Sequence, residues 1–299
     1  DAVNIPVFVG HNIFTPEEAE NLLENNCGEF VALGRSQLAD PHWTIKAETG
    51  KTDEITPCIN CLIGCLDRGL LNHTAIHCTV NPGLYKFEKE TVNTTDPRSV
   101  AVVGAGPAGC EAALTAANNG HKVTLYEKRE FGGAMIEAAK PENKKNIRRL
   151  ISYYKDHIEK HPNITFIKET ADFDTIVAGH YDVCISAIGG NPRHLNVQGI
   201  DNEMVINAMD YLDDVKVNGK EVVVIGGGIT GAETALELHG EGKKVTIIEM
   251  ADQFLAQQSN ACQAYNIAIS QTDIKINTGL RLLSVGDKEI TLVDRFGNE

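Results

Sequence analysis

The chain has 299 residues, of which 42% are hydrophobic, only 6% aromatic and 27 glycine, and it carries a formal net charge of −14 with a pI near 5.2. Acidity of this size repels polyanions, so nucleic acid and anionic membrane surfaces are excluded as main partners and small molecules are expected. The length exceeds the ~100–150 residues that one core usually organises, so two or more units are expected.

In chain order, PVFVG (6–10) reads as a strand, and a helix follows with Thr15 as N-cap, Pro16 at its first position and Glu17 and Glu18 in its first turn. EFVALG (29–34) reads as a second strand followed by a short helix, completing one β-α-β unit over residues 1–50. Residues 51–97 show no sustained period and end in a polar connector, TVNTTDPRS. From Val100 an apolar strand, glycine loop, helix, apolar strand and acid follow one another, and the series recurs from Val222. Between the two series lie a basic helix (about 141–160), a short strand NITFIK and a buried-looking strand YDVCISAIGG. After Glu249 a helix over 259–270 precedes short strands, with Gly286-Asp287 as a hairpin turn. The expected fold is α/β, with two Rossmann-like dinucleotide-binding domains at 98–205 and 206–299.

Eight cysteines in a chain with no leader-like N-terminus and no run of ~20 apolar residues point to a reducing, cytoplasmic setting. Four of them, Cys58-x2-Cys61-x3-Cys65-x12-Cys78, put three thiols within eight residues and bring a fourth from a separate segment. That pattern suits a 4Fe-4S cluster, whose ligands approach from different directions. Structural zinc, which draws on two similar knuckles, is the alternative. His73 and His77 lie inside the same loop, and Cys27, Cys110, Cys184 and Cys262 read as small buried hydrophobes.

Gly104-x-Gly106-x-x-Gly109 follows a strand and opens a helix with Pro107 and Ala108, and Glu127-Lys128 ends the next strand. The glycines permit a tight turn, close approach of backbone to a pyrophosphate, and helix–strand contact, while the acid is placed for adenosine ribose hydroxyls. Gly226, Gly228, Ile229, Gly231 and Glu249 repeat the arrangement, each acid 23 residues after its first glycine. Glu249 would repel a 2′-phosphate and Met250-Ala251-Asp252 supplies no arginine, so NADH is favoured over NADPH. Gly132-Gly133 and Ala187-Ile188-Gly189 read as further backbone approaches to a flavin. Two nucleotides beside a cluster suggest a relay in which a flavin converts hydride pairs into single electrons.

These motifs resemble the family of 2,4-dienoyl-CoA reductase, trimethylamine dehydrogenase and related NADH:flavin oxidoreductases, whose dinucleotide domains are glutathione-reductase-like. PVFVG, TPEEAENLL and FVALGRSQLADPHW are similar to the last two β/α units of the old yellow enzyme TIM barrel. The resemblance implies FAD in the first dinucleotide domain, NADH in the second, a 4Fe-4S cluster on the four cysteines, and FMN phosphate held by Gly10, Gly34 and Arg35 in a longer enzyme that supplies the rest of the barrel. It also implies an enoate or enoyl-CoA-type substrate reduced outside this chain, so no catalytic acid–base residue is expected within it. An amine dehydrogenase with reversed flow and a zinc-stapled nucleotide-binding module remain alternatives, and a homo-oligomer is left open.

Overall fold

A computed structural model describes residues 3–84, 94–192 and 194–298, so part of the polar connector lies outside the described residues. The chain divides into two compact units, one comprising the residues up to Cys65 with Ala75–Gly190, the other Leu66–Thr74 with the residues from Asn191 onward.

The first unit opens with a parallel pair, β1 (Phe8–Gly10) and β2 (Phe30–Ala32), joined by helix α1 (Pro16–Glu24). Thr15 caps α1 as its sequence predicts, its hydroxyl accepting from the Glu18 N–H at 3.2 Å while Glu18 Oε2 accepts from the Thr15 N–H at 3.2 Å. Burial opposes ionisation of Glu18, yet donation from the Phe14 N–H (2.8 Å) and from Arg149 (3.3 Å) holds its carboxyl below the ordinary range. Helices α2 (Arg35–Ala39) and α3 (Trp43–Glu48) follow, then a π-helix over Ile63–Leu71, unforetold by the aperiodic sequence, whose residues from Leu66 on belong to the second unit.

A four-stranded parallel sheet comes next, built from β3 (Ser99–Val103), β4 (Lys122–Tyr126), β5 (Ile164–Ile167) and β6 (Val183–Ser186) in the order β5-β4-β3-β6. Helices α4 (Pro107–Asn118), α5 (Met135–Ala138), α6 (Lys145–Lys160) and α7 (Phe173–Ala178) lie between these strands in sequence. Val100, Ala101 and Val102 are all buried, as a central parallel strand covered on both faces requires. Leu150, Tyr154 and Ile158 recur every fourth residue, so α6 presents one apolar face to this core. Ala39 and Val80 belong to the same core, with Cys58, Ile59 and Cys78 packed against it. The two ends of the cysteine segment therefore pack against the interior of this unit. One expectation fails here: among the described residues β6 pairs with β3 alone and so lies at the sheet edge, where Val183 and Cys184 are exposed. Cys27 is exposed as well, whereas Cys110 and Cys262 are buried as expected.

The second unit contains α8 (Ala208–Leu212) and a three-stranded parallel sheet, β7 (Glu221–Ile225), β8 (Lys244–Glu249) and β9 (Lys275–Thr278), with helices α9 (Ile229–Gly240) and α10 (Asn260–Ser270). An antiparallel hairpin, β10 (Leu280–Val285) and β11 (Ile290–Asp294), turns at Gly286, whose N–H donates to the Glu289 carbonyl at 2.8 Å. Its core gathers Val224, Ala232, Ala235, Leu238, Val245 and Ile247 from the β7-α9-β8 motif, with Cys262 and Ile269 from α10. Asp67 is buried in this unit, accepting from the Asn260 N–H at 2.9 Å and its side-chain amide at 2.6 Å.

Candidate nucleotide and cluster sites

The two glycine loops fold alike because their sequences impose the same backbone. Gly104 (φ +104°) donates its N–H to Tyr126 O, and Gly226 (φ +111°) donates to Ile248 O, each at 2.8 Å, which turns the chain sharply off the end of its strand. A Cβ on Gly109 would lie 1.8 Å from the Gly104 carbonyl oxygen, and one on Gly231 would lie 1.9 Å from that of Gly226. Only hydrogen fits there, so these third glycines set the helix–strand contact. Gly106 and Gly228 stand at the N-caps of α4 and α9, where unpaired N–H groups favour an anion. Nothing lies within 4 Å of a Cβ on Gly226 or Gly228, so the second loop faces open space. Pro107 and Ala108 are exposed in the first turn of α4, and Ile229 is half-buried in that of α9.

The acids meet the loops in matching ways. Glu127 Oε2 accepts from the Ala105 N–H at 2.7 Å and Oε1 from the Arg129 N–H at 2.8 Å. Glu249 accepts from the Gly227 N–H at 2.6 Å and the Ala251 N–H at 2.7 Å. Each carboxylate thus pins its glycine loop and the segment after its own strand, while a lone pair on each oxygen remains for a hydroxyl donor. Lys128 is exposed.

Two further predicted segments converge on the first loop. Gly132 donates its N–H to Ala105 O at 2.9 Å, and a Cβ on Gly133 (φ +52°) would lie 3.0 Å from Gly106 Cα. The Ala187 carbonyl oxygen would stand 2.4 Å from a Cβ on Gly104, and Gly189 (φ +72°) faces open space. These backbones meet at the carboxyl ends of β3, β4 and β6, the side of an open parallel sheet where ligands bind. Glu137 was not anticipated there. It is buried in α5, with one oxygen on Arg129 and Oε2 without a hydrogen-bond partner among the described residues. No periodicity marks such a residue in advance.

Cys58, Cys61, Cys65 and Cys78 all line one small pocket, open to solvent, together with Arg35, Leu38, Gly64, His77 and Thr79. Burial pushes the Cys58 thiol up to about 11, against the Asn60 N–H and the Arg35 guanidinium, which favour the thiolate. Burial also raises Cys78, against N–H groups of Val80 and Asn81. Cys61 Sγ lies 3.2 Å from Thr79 Oγ1, and Cys65 Sγ lies 3.6 Å from the Leu62 carbonyl oxygen. The loop closes through Gly64: its carbonyl accepts from the His77 N–H at 2.7 Å, and a Cβ there would lie 2.4 Å from His77 O. A Gly directly before a cysteine is the only sequence signal for this crossing. Among the described residues, no three His, Cys, Asp or Glu side chains are set to hold one metal ion.

Arg35 reaches the same cavity. Its guanidinium donates to Asn60 and, at 2.5 Å, to Asn12, and it lies over the Phe14 ring. Nothing stands within 4 Å of a Cβ on Gly34, while one on Gly10 would approach Ala32 O at 3.3 Å. Asp40, only 3% exposed, secures the approach to Cys58 by accepting from Lys46 Nζ (2.6 Å), the Thr56 N–H (2.9 Å) and the His42 N–H (2.9 Å). Asp40→Ala strands the Lys46 charge and the Thr56 donor and is expected to cost about 3 kcal/mol, measured as a lowered urea midpoint.

Residues 98–296 match the family model of pyridine nucleotide-disulphide oxidoreductase. The chain is 40% identical over 259 residues to an NADH oxidase of Thermoanaerobacter brockii, covering 83% of this chain and 39% of that protein. It is 32% identical over 284 residues to a cinnamate reductase of Clostridium sporogenes, covering 92% and 42% respectively. The solved structure of 2-naphthoyl-CoA reductase with 2-naphthoyl-CoA superposes at a TM-score of 0.90 and 28% identity, over 99% of this chain and 46% of that one. The chain spans about two fifths of the length of these curated relatives. Among the described residues no helix is long and apolar enough to cross a membrane. Doubled glycine loops on parallel sheets, a family match across two thirds of the sequence and these relatives together place the chain in the pyridine nucleotide-disulphide oxidoreductase family, among the NADH:flavin oxidoreductases related to 2,4-dienoyl-CoA reductase.

Proposed function

We propose that this chain is the electron-input portion of an NADH-dependent iron–sulfur flavoenzyme that, at full length, reduces an activated C=C bond of enoate or enoyl-CoA type. The observation that carries the reading is the presence in one chain of two glycine–glutamate cradles and a cavity ringed by four cysteines. The substrate class rests on relatives named for cinnamate and 2-naphthoyl-CoA reduction.

In this reading residues 98–205 hold FAD. Gly104, Gly106 and Gly109 admit its pyrophosphate to the start of α4, Glu127 orients the ribose, and the Gly132-Gly133 and Ala187–Gly189 backbones border the flavin. The orphaned Glu137 oxygen supports a polar group bound nearby. Residues 206–299 hold NADH through Gly226, Gly228, Gly231 and Glu249, over a loop that faces open space. Residues 51–97 hold a 4Fe-4S cluster on Cys58, Cys61, Cys65 and Cys78. Four sulfurs lining a cavity without converging on one point suit a cluster, where each thiolate takes its own iron, better than a single tetrahedral zinc. The N–H groups directed at Cys58 and Cys78 and the Arg35 charge offset the negative charge of such a group. Residues 1–50 are the end of an FMN barrel, with Gly10, Gly34 and Arg35 at the phosphate. When bound, the flavin supplies conversion between the two electrons of a nicotinamide and the single electrons of a cluster.

Anaerobically prepared full-length protein is expected to be brown, to contain iron and flavin, and to bleach on addition of NADH. A colourless preparation with stoichiometric zinc would overturn the redox reading.

A further inference from the structure

The segment after Glu249, Met250-Ala251-Asp252, contains no arginine, yet the fold brings one to it. Arg295, at the end of the β10–β11 hairpin, places Nη1 3.1 Å from Asp252 Oδ2 across 43 residues of sequence. Asp252 is fixed close to Glu249 by the backbone between them. Glu249 Oε1 accepts from the Ala251 N–H at 2.7 Å, and the Ala251 carbonyl accepts from the Gly279 N–H at 2.9 Å. The guanidinium also lies over the Phe296 ring, 5.0 Å from its centroid.

A dinucleotide site accepts a 2′-phosphate when the acid at the end of the second strand is absent and an arginine stands nearby. Here the arginine is present and the acid is doubled. Arg295 and Asp252 are 66% and 76% exposed, so their pair is weak and gives way when Asp252 loses its charge. A phosphate, with more charge and more acceptor oxygens than one carboxylate, is a stronger partner for a guanidinium.

Resting on the reading that residues 206–299 bind NADH, we propose that Asp252 is a specificity-determining residue. It occupies Arg295 in an ion pair and adds a second negative charge beside Glu249, masking a receptor for an adenosine 2′-phosphate. The site is thus NADH-selective by sequestration of its own cation as well as by repulsion from Glu249.

The test is calorimetric titration of full-length protein with ADP-ribose and 2′-phospho-ADP-ribose, neither of which is a redox substrate. In an E249Q background, adding D252N is expected to tighten 2′-phospho-ADP-ribose binding about tenfold, the scale of a charge-assisted bond. The gain should shrink severalfold when D252N is added to E249Q/R295Q instead of E249Q, and should fall with salt. An undiminished gain in the E249Q/R295Q background, or no gain while ADP-ribose still binds, overturns the proposal. Wild-type protein that binds neither ligand overturns the nucleotide reading itself, and the proposal with it.

Discussion

Cys61→Ala in the full-length protein is expected to abolish the brown iron–sulfur absorbance and to cut electron delivery from NADH to the terminal acceptor by more than ~100-fold, since even outer partners of metal ligands are worth 10–100-fold. Cys61 is chosen over Cys58 because Cys58 and Cys78 pack against the core of their unit, whereas Cys61, half-buried beside Thr79, does not belong to that core. Loss of the fold therefore does not confound loss of the cluster. Iron and acid-labile sulfide analysis provides the check. Retention of four irons per chain in Cys61→Ala would remove this cysteine from the ligand set, and the same result for Cys65→Ala would end the cluster assignment.

Gly228→Ala and Gly231→Ala are expected to separate binding from folding within one loop. A methyl on Gly231 would stand 1.9 Å from the Gly226 carbonyl oxygen, so α9 must move away from β7, at a cost of about 1–3 kcal/mol for overpacking. A methyl on Gly228 meets nothing within 4 Å, and the backbone there, at φ −80°, suits any residue. Gly228→Ala should unfold at the wild-type urea concentration yet bind NADH at least ~10-fold more weakly, because the methyl keeps the pyrophosphate from charge-assisted N–H bonds. Equal NADH affinity in Gly228→Ala and wild type would show that the nucleotide lies elsewhere.

The Asp252–Arg295 pair and the buried Asp40 share a feature with Gly64. Each matters through a partner that its own neighbourhood in sequence does not contain, or contains without any mark of its role. Nothing in DRFGNE marks Arg295 for a role before the hairpin places it against Asp252. Nothing in LADPHW marks Asp40 before three donors close around it.

What the sequence alone determined was the pair of glycine loops with their acids, the Thr15 cap, a basic helix placed at about 141–160 that begins at Lys145, and the spacing of the four cysteines. These are short-range properties: a strand, a turn with positive φ and a helix start within ten residues of one another, so residue type and spacing suffice to specify them. Tertiary structure decided which distant backbones reach the first loop, that Gly64 crosses His77 to bring Cys78 to the other cysteines, that β6 lies at an exposed edge, and that an arginine from a hairpin reaches the second acid. The physical reason is that such contacts join segments tens of residues apart, and their existence depends on how whole sheets and hairpins pack, which no local pattern encodes.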